Sequence, residues 1–341
     1  MINLSIIIPV YNEINYLEIF TQRLLNSFKD YKVEYIFIND GSSDGSDLWL
    51  INYVNINTNN NFKLINLKKN YGKGNALHEG IKLAKGKLVL FQDADLELDT
   101  NDSLEMLKII NNNPSIDCLF GSRYLTGKLK KNNNYLNEFV GKLNSLIFNI
   151  LFNQSLSDIH CGTKIISKNV LDKLNLTIKD FGFEIDIAAQ ISKNNFDIYE
   201  YGVSYFSRTK KEGKKINWID GLKSYFYLFK TRFLQNNFST TISIFYSVGY
   251  MSYIGSHFGS NFEKNIIIIF FSFIGLFIGL RRKLLTSSIV FLFLYLGILL
   301  DYSNIKFFII ILFFIMGLYL SKKINIFINK KIKNKIVNFL F

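Results

Sequence analysis

The sequence predicts an α/β domain with a parallel, Rossmann-like sheet, followed by an all-α region that spans a membrane. Short apolar runs alternate with segments of helical periodicity through the N-terminal part of the chain. The C-terminal third instead carries long apolar runs with very little charge. A length of 341 residues suits one large domain joined to a second region.

The N-terminal elements follow from the hydrophobic pattern, taken in order. Short, continuous apolar runs rich in β-branched residues predict four strands, at 4–10, 33–40, 62–67 and 87–95. Helical spacing predicts three helices between them, at 12–28, 44–54 and 74–84. Strands that alternate with helices form parallel sheets, and such sheets bind ligands beyond the carboxyl ends of their strands. We therefore expect three polar loops to converge on one sheet edge: 11–13, 40–44 and 93–99.

The C-terminal region predicts four membrane helices, at about 238–255, 265–280, 284–300 and 305–320, followed by a basic tail at 321–341. The runs are slightly shorter than the ~20 residues that cross a bilayer, but flanking residues extend them. The loop 281–283 and the tail are both basic, and the positive-inside rule places such segments in the cytosol. Four helices satisfy this rule, whereas three would place the loop outside. Buried helices of a soluble domain are the alternative.

Segment 216–235 predicts an amphipathic helix at the membrane surface, between a cytosolic domain at 1–215 and the first membrane helix. Its large apolar side chains recur on one side of a helix, at Ile219, Leu222, Phe226, Phe229 and Phe233. Basic side chains lie off this stripe, as suits contact with lipid headgroups. The alternative is a helix that packs on the soluble domain.

The charge and the cysteines narrow the class of protein. The net charge is +13, and residues 236–341 hold eleven basic against two acidic residues, so most of the excess lies in the C-terminal region. This distribution favours an anionic membrane surface as a partner and argues against nucleic acid. Cys118 and Cys161 lie far apart and form no C-x-x-C pair, so we expect neither disulfides nor a cysteine metal site. The N-terminus lacks the basic start of a signal peptide, which predicts a cytosolic N-terminal domain.

A dense acidic cluster lies at the end of the fourth predicted strand. The stretch FQDADLELD (91–99) places four carboxylates in seven residues: Asp93, Asp95, Glu97 and Asp99. Such carboxylates repel one another and are tolerated when they are solvated or when a cation lies among them. In a strand, alternate residues point the same way, so Asp93 and Asp95 are expected to face one site. Asp99 is expected to be solvated or to cap the next helix, and an acidic surface loop is the alternative for the whole cluster.

Seven motifs occur in an order that is similar to one enzyme family. They are IIIPVYNE, INDGSSDGS, KNYGKGNAL, QDADLELD, GSRYLTG, SDIHCGTK and SRTKKEGKK. Over about residues 4–235 the chain resembles the inverting family-2 glycosyltransferases of the polyprenyl-phosphate type. The resemblance implies a nucleotide-sugar-binding domain of the GT-A fold, dependent on Mg²⁺ or Mn²⁺. It implies transfer of a hexose, with inversion, from a UDP- or GDP-linked donor to undecaprenyl or dolichyl phosphate. It also implies a multi-pass protein of the cytoplasmic membrane, with its catalytic domain in the cytosol and possible assembly into homo-oligomers.

The resemblance also implies roles for individual residues. The direct metal ligand is expected to be Asp95, with Asp93 and Glu97 beside it. The donor nucleotide is expected to contact Pro9, Tyr11, Glu13, Asp40, Lys73 and Asp93. The acceptor or its phosphate is expected to contact Arg123, Arg208, Lys214 and Lys215. The catalytic residues are expected to be Asp93, Asp95, Asp158 and Arg208. Taken alone, Lys73 can contact the diphosphate or be exposed, and the basic cluster at 208–215 can bind phosphate or lipid headgroups.

Other functions stay open at this level. A phosphate monoester has a second pKa near ~6, so it is already an anionic nucleophile at neutral pH and needs no strong general base. If the acceptor is instead a saccharide or a lipid-linked saccharide, a base is needed, and Asp158 or Glu184 is the candidate. A non-catalytic membrane anchor or binding module is a third reading. Cys161 is expected to be a packed small residue and not a nucleophile.

Overall fold

A computed structural model describes residues 2–58, 61–125, 127–131, 135–209 and 218–234, with 247 and 250. Within these residues no helix is long and apolar enough to cross a membrane. The four predicted membrane helices lie outside the described residues, apart from 247 and 250, as do the basic tail, Lys214 and Lys215. The chain divides into two compact units, Met1–Arg232 and Phe233–Phe341, and the elements below belong to the first unit apart from the last two residues of the final turn.

The first unit begins with the βα alternation that the sequence predicts. Its first seven elements are β1 (Leu4–Val10), α1 (Ile14–Phe28), β2 (Val33–Asn39), α2 (Ser46–Ile56), β3 (Phe62–Asn66), α3 (Lys73–Leu83) and β4 (Leu88–Phe91). The next six are α4 (Thr100–Asn112), β5 (Cys118–Ser122), β6 (Lys130–Lys131), α5 (Tyr135–Phe152), β7 (Lys164–Ser167) and α6 (Lys168–Leu171). The last are α7 (Phe183–Lys193), β8 (Tyr199–Gly202), β9 (Tyr205–Phe206), α8 (Trp218–Phe229) and a π-helical turn at Lys230–Leu234.

The main sheet has seven strands in the order β3-β2-β1-β4-β7-β5-β8. Strands β1 to β4 are mutually parallel where they pair, which confirms the Rossmann-like half of the prediction. The prediction of a parallel sheet is wrong for β7, which pairs antiparallel with both β4 and β5. The reason is that the chain enters β7 from the loop at 153–163, which lies beside Asp93 at the carboxyl edge of β4. A small second sheet pairs β6 with β9.

The strand that precedes the acidic cluster is shorter than predicted. It ends at Phe91, and the next residues form bends, with Leu96 in the left-handed region at a φ of 58°. Strand alternation therefore does not orient Asp93 and Asp95, contrary to the expectation. Asp99 is expected from the sequence to be solvated or to cap the next helix, and it caps α4: its side chain accepts a hydrogen bond from the Asn101 N–H.

Each face of the sheet carries a hydrophobic core. Successive strand residues contribute to opposite faces, as expected of strands that are buried on both sides. On one face Ile7 and Phe91 lie in a cluster with residues of α3, α5 and α7. On the other face Ile6 and Phe37 lie in a cluster with residues of α1 and α4. Helices on both faces leave the strand ends as the exposed parts of the sheet, so the polar loops are displayed there.

Helix α8 packs on the domain with one of its sides, and its contact with a membrane surface stays a prediction. Leu228 is buried in the core cluster of the domain, and the Tyr227 hydroxyl donates to Asp180. Phe226 and Phe229 remain 58% and 52% exposed. One side of the helix thus packs on the domain, while part of the predicted apolar stripe faces outward.

At the edge where the strands begin, a buried ion pair links the first three strands. Glu34 is fully buried, and its Oε2 lies 2.5 Å from Lys63 Nζ. Its Oε1 accepts hydrogen bonds from Ser5 Oγ and the Lys85 N–H, both at 2.5 Å. Burial alone would raise the pKa of Glu34, but the hydrogen bonds from Lys63, Ser5 and Lys85 lower it below 4.5.

Replacing Lys63 by methionine should destabilise the protein by about 2 kcal/mol, because it removes a charged hydrogen-bond partner from a buried carboxylate. Because the folded-state pKa of Glu34 is lowered, this stabilisation is present above pH 4.5 and is lost as the pH falls through the folded value. Thermal unfolding followed by circular dichroism should show a lower Tm for Lys63→Met at pH 7 and a smaller difference at pH 4. Equal Tm values at pH 7 would contradict the assignment.

Candidate active site

The three polar loops converge on the carboxyl edge of the sheet, as the sequence predicts. The first two loops are tied together by Asn12, whose N–H donates to Ser42 Oγ at 3.0 Å and whose Oδ1 accepts from the Ser43 N–H at 2.8 Å. Arg208 brings in the third loop, because its guanidinium contacts both Glu13 after β1 and Asp95 after β4.

Arg208 lies among three carboxylates. Its Nη1 donates to Glu13 Oε2 at 2.8 Å, and its Nη2 donates to Asp95 Oδ2 at 3.1 Å. Its Nε lies 3.9 Å from Glu97 Oε1, and its backbone N–H donates to the same oxygen at 2.8 Å. The guanidinium also lies over the Tyr16 ring, 5.1 Å from the centroid. The side chain is therefore held on several sides by groups from distant parts of the chain.

Asp95 is the most perturbed carboxylate of the site. Burial, together with the charges of Asp93, Glu97 and Glu13, raises its pKa to about 7, although the Arg208 charge acts in the opposite direction. A carboxylate whose pKa is raised in this way gains from any added positive charge beside it. Asp95 is thus the position at which another cation would relieve the most repulsion.

The donor set of this site suits a hard divalent cation. Glu13, Asp95 and Glu97 offer oxygen ligands of the kind that Mg²⁺ and Mn²⁺ prefer. Arg208 contacts all three of these carboxylates, and a divalent cation would add to the positive charge that it places among them. Among the described side chains, no three carboxylate, histidine or cysteine groups already converge as a ready-made metal site.

Lys73 and Asp93 form a second ion pair of the site. Lys73 Nζ lies 2.8 Å from Asp93 Oδ1 and 2.9 Å from Oδ2, so it contacts both oxygens of that carboxylate. It also lies 3.1 Å from Glu184 Oε1. Burial would lower the pKa of Lys73, but the charges of Asp93 and Glu184 raise it above its usual value. Lys73 is therefore a charged, paired side chain rather than an exposed one, and its contact with a donor nucleotide stays a prediction.

Gly162 makes the close approach of this pair possible. A Cβ atom on Gly162 would lie 2.2 Å from Asp93 Oδ2 and 3.2 Å from Lys73 Nζ. Real side-chain atoms do not approach so closely, and the carboxylate cannot swing away without leaving Lys73. The sequence offered only a glycine in the motif SDIHCGTK as a signal for this role, so reasoning from sequence missed it.

Asp40 has a different set of partners from the other acids of the site. Its two carboxylate oxygens accept hydrogen bonds from the backbone N–H groups of Tyr71 and Gly72, both at 2.8 Å. Burial raises its pKa despite these hydrogen bonds. Asp40 thereby fixes the loop that leads into α3 and positions Lys73. Pro9 lies in β1, half-buried, and Tyr11 lies partly exposed just beyond it.

Arg123 and Asp158 form a bidentate ion pair in the interior of the site. Arg123 Nε lies 2.6 Å from Asp158 Oδ2, and its Nη2 donates to Oδ1 at 2.8 Å. Asp158 is buried, yet the charge and hydrogen bonds of Arg123 lower its pKa to about 2. The guanidinium lies 5.2 Å from the Tyr205 ring centroid, and the Tyr205 hydroxyl donates to Glu97 Oε2 at 3.0 Å. Tyr205 thus connects the Arg123 pair with the acidic cluster.

These contacts bear on whether Asp158 or Glu184 can act as a general base and whether Cys161 can act as a nucleophile. Asp158 is a poor proton acceptor because its pKa is about 2. Glu184 contacts two lysines, Lys73 and Lys164. Cys161 is fully buried, and burial raises the pKa of its thiol to about 12, which agrees with a packed residue rather than a nucleophile.

Comparison with known proteins identifies the domain. Residues 5–174 match the sequence model of the family Glycosyl transferase family 2. This part of the chain is a family-2 glycosyltransferase domain. The chain is 29% identical over 229 residues to dolichyl-phosphate beta-glucosyltransferase of Dictyostelium discoideum, covering 63% of this chain and 69% of that protein. It is 27% identical over 214 residues to undecaprenyl-phosphate 4-deoxy-4-formamido-L-arabinose transferase of Proteus mirabilis, covering 60% of this chain and 63% of that protein.

Solved structures support the fold of this glycosyltransferase. Glucosyl-3-phosphoglycerate synthase from Mycobacterium tuberculosis, in complex with Mn²⁺, UDP and glucosyl-3-phosphoglycerate, matches with a TM-score of 0.53 and 15% identity. The match covers 67% of this chain and 80% of that chain. At this identity the likeness concerns the fold alone, and it confirms the mixed α/β, Rossmann-like GT-A architecture.

Replacing Gly162 by alanine should displace the Asp93 carboxylate from Lys73 and lower the rate of sugar transfer by up to about 100-fold, as misplacement of an active-site group by 1 Å can do. Steady-state transfer kinetics would measure this loss. The matched control is Gly221→Ala on α8, where the added Cβ would meet Val140 Cγ1 at an ordinary 3.6 Å. The control should keep its activity, and a Gly162→Ala variant with normal kinetics would refute the role.

Asp95→Asn should raise the Tm of the cation-free protein at pH 8, because the raised pKa shows that the fold disfavours the charged form. The protonated acid contributes stability that is complete below its unfolded pKa of 3.8 and lost as the pH rises through about 7. The Tm difference between variant and wild type should therefore shrink from pH 8 to pH 6. Both proteins contain the same histidines, so the difference isolates Asp95. A difference that does not change with pH would contradict the assignment.

Proposed function

We propose that this protein transfers a hexose from a UDP- or GDP-linked donor to polyprenyl phosphate, with inversion at the anomeric carbon. The observation that carries the proposal is that both candidate bases are held in ion pairs, Asp158 by Arg123 and Glu184 by two lysines. A sugar hydroxyl would need a base, whereas a phosphate monoester is already an anion near pH 7. The acceptors named in the Dictyostelium and Proteus relatives are lipid phosphates, which supports the same choice.

In this proposal the arginines position the reacting groups. An oxygen of the acceptor phosphate attacks the anomeric carbon as the bond from that carbon to the diphosphate breaks. Arg208 and Arg123 keep 11% and 19% of their side chains exposed and are suited to hold phosphate oxygens, because a guanidinium matches their geometry. Lys214 and Lys215, outside the described residues, are proposed to extend this basic surface toward the acceptor. Pro9, Tyr11 and Asp40 are proposed to line the nucleotide side.

A divalent cation completes the proposed site. Asp95 and Glu97 would hold Mg²⁺ or Mn²⁺, with Asp93 alongside, because these acids lie together in the loop after β4 and offer the oxygen ligands that such ions prefer. The ion would supply charge neutralisation for the diphosphate leaving group. The Mn²⁺ and UDP present in the mycobacterial synthase structure are consistent with this requirement for that protein.

We further propose attachment to the cytoplasmic membrane, with the domain at 1–215 in the cytosol. The supporting features are the apolar runs between 236 and 320, the basic tail at 321–341, and the outward-facing Phe226 and Phe229 of α8. A lipid-linked acceptor has its phosphate at the membrane surface, so a domain held there meets its substrate. Assembly into a homo-oligomer stays a prediction.

The test is a transfer assay with membranes that contain the protein. Undecaprenyl phosphate and a panel of radiolabelled UDP- and GDP-sugars are supplied with Mn²⁺ or with EDTA, and label is counted in the organic extract. We expect EDTA-sensitive, acid-labile lipid label from one donor. Asp95→Asn should abolish it, since that residue is the proposed ligand, whereas Asp99→Asn should not, since asparagine also caps helices.

Two results would overturn the proposal. Label that enters a saccharide and not the lipid would show that the acceptor is wrong. Equal lipid label with Mn²⁺ and with EDTA would show that the divalent cation is not required, even if the acceptor is right.

A further inference from the structure

Lys164, the first residue of β7, is a charged side chain in the core of the domain. It is 0% exposed and is among the largest fully buried side chains. Its ammonium group contacts a carboxylate oxygen of Glu184 and the carbonyl oxygen of Cys161, and lies 4.9 Å from the Phe120 ring centroid. Burying an ammonium group is costly unless it is paired, so its presence in the core needs a reason.

Lys164 begins a row of alternating charges that ends at the active site. Lys164 contacts Glu184, Glu184 contacts Lys73, and Lys73 contacts both oxygens of Asp93. Side-chain exposure rises along this row from 0% to 6%, 16% and 24%. The row therefore leads from the core to the surface of the site, and its outer end is the first acid of the QDADLELD motif.

The four charges in this row balance one another, and the loss of Lys164 alone would leave the row with a net negative charge. Lys164 and Lys73 share the single negative charge of Glu184, which leaves Lys73 free to contact Asp93 as well. Without Lys164, the buried Glu184 would have Lys73 as its remaining cationic partner in this row, and would draw it away from Asp93. Because Gly162 leaves only the room that the Asp93 carboxylate now fills, small shifts of Lys73 bear directly on Asp93.

We propose that Lys164 is a positioning residue for glycosyl transfer, which acts through Glu184 and Lys73 to fix the Asp93 carboxylate. This inference about Lys164 rests on the proposed function in one respect, which is that Asp93 is taken as part of the donor site. Lys164 touches no substrate in this scheme. Replacing a residue that orients a functional residue without touching the ligand typically lowers activity or affinity by about 10–100-fold.

A double-mutant cycle with Lys164→Met and Lys73→Met tests this role, because methionine keeps the length of the side chain and removes its charge. We expect Lys164→Met to lower kcat at least about tenfold. Since Lys164 acts through Lys73, the double variant should have the kcat of Lys73→Met alone. Losses that multiply in the double variant, or a folded Lys164→Met with wild-type kcat, would overturn the proposal.

The matched control is Lys63→Met, which breaks the ion pair between Lys63 and the buried Glu34 at the opposite edge of the sheet. It should lower Tm but leave kcat unchanged, which separates loss of stability from loss of positioning. If Lys164→Met does not fold, the charge-neutral double variant Lys164→Met, Glu184→Gln replaces it. This variant should fold and keep a reduced kcat, because Lys73 has lost the carboxylate that orients it. Recovery of wild-type kcat would overturn the proposal.

A second readout keeps this test independent of the acceptor. Isothermal titration with UDP and with GDP, each in the presence of Mn²⁺, should show nucleotide affinity about tenfold weaker in Lys164→Met and unchanged in Lys63→Met. If wild-type protein binds a nucleotide but transfers no sugar to lipid, the proposed function is wrong while the affinities still decide the role of Lys164. Unchanged affinity and unchanged kcat in folded Lys164→Met would remove that role.

Discussion

The active site depends on how two cations hold together carboxylates that repel one another at one sheet edge. Asp93 and Asp95 lie two residues apart in one loop, yet each contacts a different cation, Lys73 and Arg208 respectively. Arg208 also contacts Glu13, and this single side chain therefore joins the loops that follow β1 and β4. Without these two cations the loop after β4 could not carry its acids at partial burial, because the repulsion would favour its exposure.

The sequence was sufficient for the elements whose cause is local. The first four strands and three helices follow from apolar periodicity, and the cap at Asp99 follows from residue type and position. The convergence of three loops follows from the rule that parallel strands end at one edge. By contrast, the end of β4 at Phe91 and the antiparallel course of β7 depend on how the later loop at 153–163 packs, and no local pattern encodes that.

The partners of the site residues are hard to predict for the same reason. Arg208 is 113 residues from Asp95 in the sequence, and Lys164 is 20 residues from Glu184. Lysine is normally an exposed residue, so the residue type at the start of this strand gives no sign that Lys164 is buried. Motif resemblance selected Asp93, Asp95, Asp158 and Arg208 as candidates, because it matches residues one by one. It did not reveal that Arg123 pairs with Asp158, which is a contact on which the proposal of a phosphate acceptor rests.

The ion pairs Lys73–Asp93 and Arg208–Asp95 differ in how firmly the rest of the structure holds their cations. The cation on Asp93 belongs to a row of charges anchored in the core by Lys164, so the position of Asp93 is set by the fold itself. The cation on Asp95 belongs to the segment after β9, which continues into the basic stretch at 210–215. A phosphate that attracts this basic stretch would compete for Arg208 with Glu13, Asp95 and Glu97, because a guanidinium binds phosphates as well as carboxylates. Loss of Arg208 would leave Asp95 and Glu97 with greater excess charge, which favours a divalent cation there. In the proposed site, phosphate binding and cation binding would therefore support each other through Arg208, while Asp93 would keep its contact with Lys73.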